Sequence, residues 1–175
     1  MGIGRMELKN DRMESIMKVK DSLKFKGKVK LTFKNEKTGK TRIFEYDNLF
    51  VNTGLYTIID RLAGTDIPAN KKATITYCAV GTGTDAPAAG DTELQTEIAR
   101  KQIADRDPVS GDATFRTYFN TGEANATLKE VGLFGDDASG DVDSGTLFCR
   151  AAIDKEKTAA ESLTIDWITT IAAVV

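Results

Sequence analysis

The chain contains no histidine, and that absence narrows its chemistry before anything else does. Imidazole is the usual acid/base group near neutral pH and a frequent metal ligand, so histidine-dependent hydrolysis and imidazole-built metal sites are excluded. Two cysteines, Cys78 and Cys149, are too few for a disulfide scaffold. Each stands in an alternating apolar run (TITYCAV and GTLFCRA), where an unpaired thiol acts as a small hydrophobe, so both are expected to be free and buried. No apolar run approaches the length of a membrane span. The opening MGIGRMELKNDRMES lacks the apolar segment of a secretory signal, and IGRM after the initial MG makes a poor lipidation site. Secretory export and a membrane partner are therefore not expected.

What is present suits one domain with a real core: 175 residues, 41% hydrophobic and 29% charged. The net charge of -2 hides an asymmetry, because residues 1–46 hold 13 Lys and Arg against 6 Asp and Glu, and the remainder is strongly acidic. A basic arm or sheet edge in the first part could rest on an acidic neighbour, including another copy of the chain.

Residues 1–20 are polar and basic without a clean period and read as an extended arm. From Leu23 the pattern changes. LKFKGKVKLTF alternates, with Phe25, Val29, Leu31 and Phe33 on one side and Lys24, Lys26, Lys28 and Lys30 on the other, as a half-buried strand requires. NEKTGK is a turn and TRIFEYDNLFV the returning strand. VNTGLYTIIDRLAG reads as a short helix, capped by Asn52 or Thr53, buried through Leu55, Ile58, Ile59 and Leu62, and stopped at Gly64. TDIPANKKA is loop, and ATITYCAVGTG a central strand. TELQTEIARKQI fits either a short helix capped by Asp91 or an extended edge segment. ATFRTYFNTG, NATLKEVGLFG, GTLFCRAAI and SLTIDWITTIAAVV each alternate. The fold class expected is mainly β: an antiparallel β-sandwich of about seven strands with one or two short helices, residues 21–175 forming a single domain behind the arm.

Candidate chemistry is sparse. AVGTGTDAPAAG follows a strand, but its spacing matches neither nucleotide fingerprint, so Gly81 and Gly83 are read as glycines that let the chain turn. GDDASGDVDSG offers Asp136, Asp137, Asp141 and Asp143 to a calcium ion, yet lacks the ligand alternation and terminal glutamate of the standard loop; the expectation is a solvated strand connection. Glu97 and Glu130 lie among apolar residues and would need partners, for which Arg100 and Arg150 are suitable. Phe134 is expected in a core, and Trp167, alternating with Ile165 and Leu163, as a core or interface anchor. The lysine face could touch phosphates, but Phe25 points the other way and the chain is acidic overall. A protein partner is expected there, not nucleic acid. No cofactor and no enzymatic activity are expected.

Four fragments taken in order carry a resemblance: DNLFVNTGLYTIIDRL, YCAVGTGTDAPAAGDTELQTEIAR, LKEVGLFG, and GTLFCRAAIDKEKTAAESLTIDWITTI. Their matching positions are Asn48, Asn52, Thr53, Gly54, Val80, Gly81, Gly83, Thr84, Leu94, Glu97 and Arg100, then Glu130, Gly132, Leu133, Phe134, Gly145, Arg150, Lys155, Leu163, Ile165 and Trp167. Across about residues 45–171 the chain resembles structural proteins of tailed-bacteriophage virions, of the tail-fibre or tail-collar type. The resemblance implies architecture and assembly: a virion protein made in the host cytoplasm, a tail- or fibre-associated adaptor docking other virion proteins, and a homo-oligomer, for which a trimer is one suitable form. A capsid decoration protein and a carbohydrate- or host-surface-binding module are the alternatives.

Overall fold

Alternation in LKFKGKVKLTF builds β1 (Ser22–Asn35), and the hairpin expected after it forms with β2 (Thr41–Asp47). Asn35 closes the turn, its Oδ1 accepting from the N–H groups of Lys37 (3.1 Å) and Thr38 (2.9 Å). A computed structural model describes residues 22–63 and 74–174. The arm expected at residues 1–20, the helix stop at Gly64 and the loop at 65–73 lie outside the described residues.

The remaining elements are β3 (Leu49–Phe50), helix α1 (Asn52–Ala63), β4 (Ile75–Gly81), β5 (Glu97–Gln102), β6 (Asp105–Val109), β7 (Asp112–Phe119), β8 (Thr127–Gly135), β9 (Thr146–Glu156) and β10 (Glu161–Val174). They make two antiparallel five-stranded sheets. The order is β2-β1-β10-β7-β6 in the first sheet and β3-β9-β8-β4-β5 in the second. Inward residues of the two sheets form one core, Val29, Leu31, Phe33 and Trp167 on one side meeting Cys78, Val80, Leu133 and Cys149 on the other.

The described residues hold ten strands where about seven were expected. The segment TELQTEIARKQI resolves to strand β5. Leu49–Phe50, expected as the end of the returning strand, pairs instead with β9 as β3, and β6 is a further short strand. β6 is DRDPV, a composition that disfavours strands. It pairs because Ser110 (φ 47°) and Gly111 (φ 92°) form a two-residue turn with both residues left-handed, the geometry a tight hairpin needs. Its Pro108 is tolerated at the sheet edge.

The helix is present, but its buried stripe is not the expected one. Leu55 and Ile58 are partly buried, whereas Ile59 is 61% and Leu62 75% exposed. What docks α1 is Gly54, packed so tightly on the Phe148 backbone that a Cβ there would collide with it. The Thr53 hydroxyl donates to the Leu147 carbonyl (2.8 Å), fastening the first turn to β9.

Candidate functional site

The outer face of the second sheet carries a cluster of buried charges. Across it, register places Glu97, Gly81 and Glu130 in one row, with Arg100, Ala79, Gly132 and Arg150 in the next. Gly81 leaves room for the Glu130 carboxylate, and Gly132 for the apolar ends of Leu94, Phe134 and Leu147.

Glu130 is fully buried. Its carboxylate accepts from the main-chain N–H groups of Gly83 (3.0 Å), Gln95 (2.9 Å) and Thr96 (2.7 Å), and from Arg150 Nη2 (2.9 Å). Arg150 turns its other arm to Asp91 (2.7 Å). One carboxylate thus pins both ends of the 82–96 segment to the sheet. Gly81 and Gly83 are required by this arrangement, since a Cβ at either would sit 2.5 Å from Glu130 Oε1. Their role is close approach. Asp91 caps no helix; it answers Arg150 and accepts from the Ala88 N–H (2.8 Å).

Glu97 and Arg100 form a bidentate pair (2.6 and 2.7 Å), and the guanidinium stacks 4.7 Å over the Phe134 ring. Phe134 is buried in a small second cluster with Val51, Ala79, Leu94 and Leu147. Phe148, on the next strand, is partly buried against the main core. Arg100 Nη1 donates to the carbonyls of Ser139 (3.2 Å) and Ser144 (2.9 Å), both in the acidic loop. Ser144 Oγ accepts from the Ser139 N–H (2.9 Å) and donates to the Asp141 carbonyl (2.7 Å). The loop of residues 136–145 is therefore organised around Arg100 and Ser144, beyond a plain solvated connection. Asp136 and Asp143 hold left-handed φ angles of 57° and 58°. Among the described residues no three acidic, cysteine or histidine side chains come together as a metal site. Ser144→Ala is expected to cost about 1–2 kcal/mol and to speed amide exchange at Ser139, read by hydrogen-exchange NMR.

No protein-family model, curated protein or solved structure matches this chain.

The lysine face lies on the outer side of the first sheet, but it is not uniformly basic. Register runs Glu45, Lys30, Asp166, Arg116, Asp105 straight across all five strands, alternating in sign. Arg116 Nε donates to Asp166 (2.6 Å), which raises the guanidinium's pKa. Lys28 faces Glu45 at 3.8 Å. Lys24 and Lys26 stand beyond this lattice, opposite Ala172 and Thr170. A face so neutralised across most of its width fits a phosphate backbone poorly.

Both thiols are buried and free. Burial pushes the Cys78 thiol from 9.0 up to about 12, with Trp167 and Thr117 easing the shift, and drives Cys149 upward too, eased by Asn48. The sign follows directly. Above pH 9 the unfolded thiols lose protons that the folded thiols keep, so stability is intact below pH 9 and falls between pH 9 and about 12. Denaturant titrations across this window should show a shallower fall for Cys78→Ala.

Sequence reasoning missed several anchoring groups. Lys157 is buried, its ammonium donating to the Asn120 carbonyl and Asn125 Oδ1 (both 2.9 Å), and burial lowers its pKa. Nothing in the polar string DKEKTAAES distinguished it. The Asn48 amide fills the space left by the missing side chain of Gly27, where any Cβ would strike it. The bare glycine interrupting the lysine strand was the available signal.

Proposed function

We propose that the protein is a non-enzymatic structural component of a tailed-bacteriophage virion, made in the host cytoplasm and built into the particle as a tail- or fibre-associated adaptor that docks other virion proteins. The observation that carries this reading is the meeting of the resembling fragments. Segments of all four, far apart in sequence, come together in the second sheet as β3, β4, β8 and β9. At their junction Glu130, Gly81, Gly83 and Arg150 hold the 82–96 segment. The motif residues thus act on one another, as residues that keep a framework do. Their charged groups are spent on fastening loops, which supports an assembly role over catalysis.

Electron microscopy of purified virions labelled with an antibody to this protein tests the reading. Label at the tail is the expected result. Label over the head would replace the adaptor by a decoration protein, and particles without label would overturn the virion reading itself.

A further inference from the structure

β1 is longer than its outer neighbour. Its 14 residues pair with β10 throughout, but β2 flanks only Lys28–Lys34. Past Asp47 the chain leaves the first sheet, and the Asn48 N–H gives the last bond from that side to the Gly27 carbonyl (3.3 Å). In an antiparallel ladder main-chain groups face alternate sides, so those of Leu23 and Phe25 point the same way as Gly27's. Among the described residues no strand lies beside them. The result is a notch in the sheet edge, residues 22–26, and beside it an open groove of about 380 Å3 runs across the outer face from Asp47 and Asn48 over β1 to Ile168 and Thr170 of β10.

The notch has a definite chemistry. Lys24 and Lys26 rise on its outer face with no salt bridge among the described residues, although Asp47 lines the groove beside Lys26. The strand that would fit is extended, acidic on the outer face and apolar on the inner. β2 has that pattern: Glu45 and Asp47 face out, while Phe44 and Tyr46 pack against the core. β2 is also an edge strand, with its far side unpaired in the sheet order. Of the seven residues of β2, five can face the open edge at 22–26.

We propose that the notch receives β2 of a second copy of this chain. A two-fold axis perpendicular to the first sheet lets each copy's β2 fill the other's notch, so that the two sheets run on as one. Each β2 is then antiparallel to its own β1 and parallel to its partner's. Charge selects this pairing over the alternatives. Direct pairing of the two notches would set Lys24 and Lys26 against their own copies. β6 carries Pro108, which lacks an N–H, and β5 offers a single acidic residue, Glu97, already paired with Arg100. The inference rests on the edge alone and holds whether or not the protein belongs to a virion.

Sedimentation of two charge-reversed variants tests it, folding of each being checked by circular dichroism. The unsubstituted protein should dimerise with rising concentration. K24E/K26E, with an acidic notch, and E45K/D47K, with a basic β2, should each dissociate at least about tenfold more readily. An equimolar mixture should restore the dimer, because acidic notch then meets basic β2 and the unaltered notch meets the unaltered β2. A protein monomeric at every concentration would overturn the proposal. So would a dimer indifferent to both variants, or a mixture no tighter than its components.

Discussion

Glu130→Ala is expected to destabilise the fold by about 3–5 kcal/mol, because it leaves Arg150 buried without its main counter-charge. The loss has a second part that an ion-pair account omits. Three main-chain N–H groups, of Gly83, Gln95 and Thr96, have the Glu130 carboxylate as acceptor. Replacing an ion pair by apolar residues of similar volume is often neutral, so Glu130→Leu with Arg150→Met distinguishes the two parts. If charge pairing alone mattered, the double variant would recover. The expected result is that it stays well below the unsubstituted protein, since the three donors still lack an acceptor. Urea denaturation measures the free energies. Hydrogen exchange at residues 83, 95 and 96 should accelerate in both variants, ahead of the β8 core.

Trp167→Ala is the second large effect, at about 3–5 kcal/mol. Trp167 is fully buried on β10, in the middle of its sheet, between Val29 and Phe115 in register. The facing Cys78 belongs to a strand fixed on both sides, so the hole has little freedom to close. Trp167→Phe, which keeps most of the volume, should cost about 1 kcal/mol. The chain has one tryptophan, so both variants lose the fluorescence signal and must be followed by circular dichroism. Equal losses for phenylalanine and alanine would mean that volume is not what Trp167 supplies.

Strands that bury one face announced themselves. Leu31 and Phe33 alternate with lysines, Leu163, Ile165 and Trp167 with polar residues, and those residues are the core. Pattern fails where the decision is taken elsewhere in the molecule. Nothing in DRDPV asks for a strand; the neighbouring hairpin turn and β7 impose one. The period of α1 marked an apolar stripe but could not say which residue docks, and a glycine, invisible to hydrophobicity, docks it. For the candidate site, Glu97, Arg100, Glu130 and Arg150 stood out as charges among apolar neighbours. Their partition into two clusters did not, because it depends on register between strands far apart in sequence. Asp91, Ser144 and Lys157 sit in ordinary polar loops, and only the fold gives them neighbours.

The pairing of β1 with β10 also has a consequence in time. Ser22 lies opposite Val174, so the longest ladder of the first sheet joins segments separated by most of the chain. During synthesis β1 emerges early and waits, one edge unpaired along its whole length, until β10 leaves the ribosome. The other sheet can start sooner, since β8 and β9 are neighbours in sequence. Folding dominated by so distant a closure is slow and exposes aggregation-prone edges meanwhile. A nascent chain arrested before residue 161 should therefore hold protease-sensitive residues 22–35, whatever the state of the rest.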